Sequence, residues 1–294
     1  MRRGRVVSLV WAVVMMLSCL VARPAGADPQ HCPDVAGDPL TVGYPLPPGM
    51  AGAAGLVPSA RYPGWGWMVL QHKPATLYAV HFPAAPGPHA LRAFKVLGTV
   101  KYDWGDLVVQ DGKILIVESD QPWTRRMPGQ IRVIYELPEP DLDGPSVLHP
   151  TASYRYAYPD GFRSNTEAAF SFAGHLVLVP KTTPARLYRF DQPLSAQGVN
   201  HPRLVGSLAG SDTVSIAAVS PDHTTLVVAN HEMLFAYRVP EGAQFLWQFI
   251  ARPVSRRRVD HGDNVEAGGY FLTGRCKLLL VAKSRDIYRI EPGS

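Results

Sequence analysis

Glu167 and Glu266 each stand at the start of a run of small and apolar side chains, in TEAAFSF and VEAGGYF. A carboxylate repeated in one local setting is what a metal site or an acid–base pair assembled from equivalent strands would need. Other acidic groups precede comparable runs: Asp103 and Asp106 around Trp104-Gly105, Asp212 before Thr213, and Asp263 before Asn264. A second set follows five apolar runs, WMVLQH, ILIVES, LVLVPK, LVVANH and LLLVAK, which end on His72, on Ser119 with Asp120 beside it, and on Lys181, His231 and Lys283. Three chemistries fit these residue types. Lys181, Lys283 and the two histidines suit an anion, and Asp106, Glu167 and Glu266 suit a divalent cation. A histidine beside a carboxylate suits proton transfer. The candidate ligand-binding set is therefore His72, Asp103, Asp106, Asp120, Glu167, Lys181, His231, Glu266 and Lys283. Each has a plain structural counterpart, since a Glu opening a strand can cap backbone N–H groups and a loop lysine is usually a solvated charge. No D-x-D-x-D-G calcium loop, His/Cys zinc spacing, Gly-rich phosphate loop or G-x-S-x-G elbow occurs.

Such residues act together only if the chain brings them to one place, and a repeat supplies the means. The segments TLYAVH, VIYELP, RLYRFD, FAYRVP and DIYRIE align on Tyr78, Tyr135, Tyr188, Tyr237 and Tyr288, 57, 53, 49 and 51 residues apart. Each follows one of the five apolar runs, and each run follows a small-residue motif: AAGLVPS, WGDLVVQ, TEAAFSF, SIAAVSP or VEAGGYF. A unit of about 50 residues with an inner, a middle and an aromatic outer strand is the pattern of a propeller blade. The expected fold is all-β, a five-bladed β-propeller, with six blades as the alternative if residues 136 to 165 hide a degenerate unit. Fourth strands are expected in ALRAFKVLG, ASYRYAYP, PRLVGSLAG and FLWQFIARP. The last unit lacks one, and DPLTVGYPLP (38–47) is placed to supply it and close the ring. Arg256-Arg257-Arg258 reads as a solvated loop.

In a propeller the loops leading into the inner strands and those joining second to third strands open on one face. Both sets of candidate residues then share one channel mouth. The ring of acids is incomplete, with Gly105, Ala54 and Ala217 where two blades have glutamate.

Residues 1–27 read as a signal peptide: a basic MRRGR, an apolar 6–22 and Ala25-Gly26-Ala27 before Asp28. Residues 28–294 form the expected single propeller domain, secreted or held in the cell envelope, with no membrane span after cleavage. The leader holds four of the 29 basic side chains and no acid, leaving 25 basic against 24 acidic groups. A nucleic-acid partner is therefore not expected. Two cysteines remain, Cys32 and Cys276, and both fall on one face of blade five if the N-terminal strand closes it; a disulfide is expected.

The order Ala53-Ala54-Gly55-Leu56, Ser59, Pro63-Gly64 and Trp67, then Asp103-Trp104-x-Asp106, Tyr158-Pro159-Asp160-Gly161 with Glu167-Ala168, Val219-Ser220-Pro221-Asp222 and Glu266-Ala267, resembles secreted bacterial β-propeller proteins. These are related to the SMP-30/gluconolactonase-like and esterase-like phytase propellers, and the resemblance spans residues 50 to 291. It implies a propeller and, where activity exists, hydrolysis assisted by a divalent cation. The chain departs from the family's W-E-D at Trp104-Gly105-Asp106, from G-D-N at Glu118-Ser119-Asp120, and from A-D-x-S-P-D-G at Ala217 to His223. These losses favour a binding module for a small polar or anionic ligand, or for an extracellular protein, over a lactonase, esterase or phosphatase.

Overall fold

A computed structural model describes residues 32–83, 85, 87–119, 131–159, 162–259, 264–273 and 275–292. The expected leader, Asp120 and Asp263 lie outside them. Strand β1 (Leu40–Val42) comes first. Blade one follows with β2 (Ala53–Pro58), β3 (Trp65–Leu70), β4 (Thr76–His81) and β5 (Leu91–Val96). Blade two has β6 (Trp104–Gln110), β7 (Lys113–Glu118), β8 (Arg132–Pro138) and, after a short β9 (Val147–Leu148), β10 (Ala152–Tyr156). Blade three has β11 (Thr166–Phe172), β12 (His175–Pro180), β13 (Ala185–Arg189) and, after β14 (Val199–Asn200), β15 (Arg203–Leu208). Blade four is β16 (Ile216–Val219), β17 (Thr225–Ala229), β18 (Met233–Arg238) and β19 (Ser255–Arg258). Blade five is β20 (Val265–Thr273), β21 (Arg275–Ala282) and β22 (Ile287–Ile290), completed by β1.

The protein is a five-bladed β-propeller. Each blade is an antiparallel meander, and β1 pairs with β22 from Leu40↔Ile290 to Val42↔Tyr288, closing the ring with its two ends. Residues 136–159 complete blade two and hold no sixth blade. Instead β9 leaves blade two to pair in parallel with β5, and β14 leaves blade three to pair in parallel with β10.

The core is five seams rather than one centre. Buried apolar side chains gather between blades one and two (Trp67, Phe94, Ile116), two and three (Tyr156, Leu178), three and four (Val179, Tyr237), four and five (Val227, Leu280), and five and one (Leu279, Met68). The repeated tyrosine explains its own recurrence: Tyr78, Tyr135, Tyr188, Tyr237 and Tyr288 each pack in the seam toward the preceding blade. Tyr135 Oη also donates to Val100 O at 3.1 Å and Tyr237 Oη to Ala209 O at 3.0 Å, so two of them hold the loop that leads into their own blade.

Blade four corrects two readings. FLWQFIARP is not its fourth strand: Leu246–Gln248 is a 3-10 turn, and Leu246, Phe249 and Ile250 insert into the seam with blade three. The arginine run is the strand, with Arg256 and Arg258 exposed on β19 beside β18. The cysteines pair as expected, Cys32–Cys276 with Cα atoms 4.9 Å apart, in the seam between blades four and five.

Candidate functional site at the channel mouth

Inner strands β2, β6, β11 and β20 each carry one extra residue near their start, so that two residues face one on the neighbouring strand. The bulged residues are Ala54, Gly105, Glu167 and Glu266. A bulge re-aims a side chain at the rim of a sheet. Two of these four places hold a buried glutamate, while β16 runs without a register shift.

Opposite each bulge the second strand ends in a residue whose amide returns to the loop ahead of the inner strand. Gln71 N bonds Gly52 O, Ser119 N bonds Asp103 O, Lys181 N bonds Asn165 O and Lys283 N bonds Asn264 O. These four are equivalent, so in blade one the matching residue is Gln71, with His72 one step beyond and exposed. In blade four the match is Asn230, whose Nδ2 donates to Asp212 Oδ1 at 3.1 Å, with His231 one step beyond. The repeat windows WMVLQH and LVVANH are thus shifted by one residue, because an amide stands where the other blades have serine or lysine.

The structure joins several predicted residues. Lys181 Nζ lies 3.4 Å from Glu167 Oε1, and His231 Nε2 lies 3.6 Å from Glu266 Oε1, beyond hydrogen-bond reach. Burial pushes the Glu167 carboxyl up, opposed by Lys181, while Asp103 and Glu266 repel it from within electrostatic reach. Gln71 Nε2 approaches Glu167 Oε2 at 3.5 Å, reaching from blade one to blade three across the place where blade two has only Gly105. Gly105 cannot carry a side chain there: a Cβ would meet Thr166 O at 2.0 Å. Asp103 accepts a hydrogen bond from Ser119 Oγ at 3.0 Å. Lys283 is exposed on its loop.

Asp106 lies deeper. Its Oδ1 accepts from Leu107 N at 2.8 Å and its Oδ2 from Ala169 N at 2.6 Å, tying β6 to β11. Burial raises its carboxyl well above the ordinary range, and the two backbone bonds only partly oppose this. Among the described residues no three His, Cys, Asp or Glu side chains gather as a metal-ligand group. Of the proposed metal set, Glu167 faces Lys181, Glu266 faces His231 and Asp106 faces backbone amides.

Sequence reasoning missed a supporting layer. Glu118 is fully buried and accepts from Tyr102 N at 3.0 Å and Asp103 N at 2.5 Å; burial raises its carboxyl to about 7. Lys101 Nζ donates to Leu70 O, Gln71 O and Lys73 O at 2.6–2.7 Å, fixing the turn that presents Gln71 and His72. Burial lowers the Lys101 pKa, opposed by Glu118 and Asp103. Buried Arg132 donates to Ser119 O at 2.6 Å and Ser164 O at 2.9 Å, stitching the mouth loops of blades two and three. An acid closing the apolar run ILIVE and an arginine opening VIYELP were the available signals, since neither charge belongs in a buried strand without a partner.

The fold has solved counterparts. The structure is similar to a glutaminyl cyclase from Myxococcus xanthus, with a TM-score of 0.52 and 10% identity over 86% of this chain and 95% of that one. A glucose dehydrogenase aligns with a TM-score of 0.45 and 12% identity over 84% of this chain and 82% of that one. At such identity the likeness to the cyclase speaks for the propeller fold alone. No protein-family profile matches the sequence, and no curated protein matches it.

Proposed function

We propose that the mouth is a binding site for a small polar ligand bearing a carboxylate or another anionic group, on a protein that works outside the cytoplasm. The observation that carries this reading is the pairing of Lys181 with buried Glu167, which anchors the lysine while leaving its side chain 29% exposed to the mouth. Exposed His72 and Lys283 add positive or titratable charge on the same face, and Gln71 and Asn230 add amide donors. An anion arriving at Lys181 meets a cation already oriented, so less side-chain freedom is lost on binding. The disulfide fits an oxidising compartment, no described helix is long and apolar enough to cross a membrane, and residues 1–27 have the order of a signal peptide.

Calorimetric titration with citrate, acetate and inorganic phosphate tests this. Lys181→Gln keeps a hydrogen-bond donor beside Glu167. It should weaken binding of the preferred anion at least tenfold and shift unfolding stability by no more than about 1 kcal/mol. Undiminished binding in Lys181→Gln and in Lys283→Gln would remove the reading.

A second reading is favoured by His231 beside Glu266: an acid–base pair in a hydrolase of the kind found among SMP-30/gluconolactonase-like and phytase-like propellers. Glu167 and Glu266 would hold a divalent cation that polarises the substrate oxygen, with His231 as base. Stoichiometric metal in protein purified without chelator, with lactone or ester turnover lost in His231→Ala, would select this reading over the first.

A further inference from the structure

Asp106 stands between the inner strands of three blades. Asp106 bridges β6 and β11, and Gly55 of β2 leaves it room: a Cβ on Gly55 would lie 2.5 Å from Asp106 Oδ1. Asp106 also lines a cavity of about 1090 Å³ whose lining contains neither Glu167 nor Glu266. It reaches the face opposite the mouth, since its lining takes in the turns between first and second strands at Asp111, Ala173-Gly174 and Pro221 to Thr224. Its volume lies just above the range, roughly 300–1,000 Å³, typical of small-molecule sites.

The chemistry of this chamber differs from that of the mouth. Leu56, Leu107, Phe170, Phe172 and Val219 form apolar wall. The polar lining includes Asp106 at the inner end and Asp111, Asp222 and Glu241 toward the opening. Among the described lining residues there is no lysine or arginine, and the one titratable base is exposed His223. Burial works against charge on Asp222, yet hydrogen bonds from Ser220 and Thr224 hold its carboxyl below the ordinary range, so it is ionised at neutral pH. Tyr270, also on the wall, has a buried hydroxyl with no hydrogen-bond partner among the described residues.

We propose that this chamber is a second binding site, separate from the mouth, for an organic cation: an amine or quaternary ammonium carried on an apolar body. Asp111, Asp222 and Glu241, with no lysine or arginine among the described lining residues, give the chamber a negative potential, and low-dielectric walls strengthen it. An anion entering would lose its hydration and find no countercharge. An organic cation buries its apolar body against the wall and places its charge among the carboxylates, with Phe170 and Phe172 able to add ring-face attraction.

Benzyltrimethylammonium is a suitable probe, with benzoate as its anionic counterpart of similar size, followed by saturation-transfer NMR and calorimetry. The cation should bind saturably below a few millimolar, and benzoate should not compete with it. Asp111→Lys combined with Glu241→Lys, both exposed and away from the seams, should weaken the cation at least tenfold while leaving the circular dichroism unchanged. Lys181→Gln at the mouth should leave it unaltered. Absence of cation binding, equal binding of benzoate, or a cation affinity indifferent to the charge reversal would each overturn the proposal. Loss of cation binding in Lys181→Gln would also do so, by placing the probe at the mouth.

Discussion

Glu118 ends a strand buried from Ile114 onward, and its neutral form is the one the folded protein favours, because burial outweighs the two amide hydrogen bonds it accepts. Its carboxyl rises from the usual 4.5 to about 7, so between those values the folded state binds more proton than the unfolded chain. The contribution is therefore fully favourable below the unfolded value and declines as pH rises through about 4.5 to 7, by roughly 3 kcal/mol in all. Urea unfolding at pH 5 and pH 8 should show Glu118→Gln gaining about 2 kcal/mol relative to the parent across that interval. A gap independent of pH would show that Glu118 titrates normally. At this scale the sequence was partly legible. Glu167 and Glu266 stood out because two units keep one residue type in one register, and the structure finds both at bulges, one facing Lys181 and the other His231. Gln71 did not, because its reach toward Glu167 depends on Gly105 leaving the space above blade two clear.

The bulge is what makes an inner strand more than scaffold, and its cost is a close approach of neighbouring backbones. Gly105 shows this: both the position its Cβ would occupy and the Thr166 carbonyl are fixed by strand backbones, so neither yields easily. Gly105→Ala should destabilise the protein by about 3 kcal/mol or more, read from thermal or urea unfolding, or prevent its recovery in folded form. A change under 1 kcal/mol would mean that the blades can part at the mouth. A glutamate substituted for Gly105 would meet the same crowding, colliding with blade three. Strands were legible wherever apolar runs recurred at the repeat period. The fourth strand of blade four was not, because its apolar residues belong to a turn packed in the seam. Leu246, Phe249 and Ile250 follow a spacing of three and four, which suits a helical turn rather than alternation. Alternation on β19 is carried by Ser255 and three arginines, a pattern that hydrophobicity cannot detect.

At the scale of the whole molecule, closure joins chain ends that are far apart in sequence. The disulfide spans 244 residues, for which the chain-entropy account gives about 5 kcal/mol before any strain in the native state. Cys32→Ser with Cys276→Ser should lose about 2–5 kcal/mol on urea unfolding, with the β1–β22 pairing weakened and the mouth geometry kept. An unchanged stability would show that strand pairing and seam packing suffice for closure. The ring and its fastening were readable because repeat number, terminal strand and cysteine positions agreed with one another. The bridge that Asp106 makes from β6 to β11 was not, since it depends on inner strands approaching within contact of each other, and spacing along a chain carries no such distance.

Strands β9 and β14 bear on how the ring shares load. Each belongs by sequence to one blade and by hydrogen bonding to the outer edge of the blade before it. Blades one, two and three are therefore basted together around their rim, and fraying the outer edge of blade one or two means unpicking a thread that the next blade holds. Among the described residues, blades three and four end instead on β15 and β19, and blade five on β1, without such an added strand. A circle of similar units is thus mechanically lopsided: one arc resists opening as a piece, and the remaining arc depends on its seams and on the covalent clasp that fastens blade five to the chain's beginning.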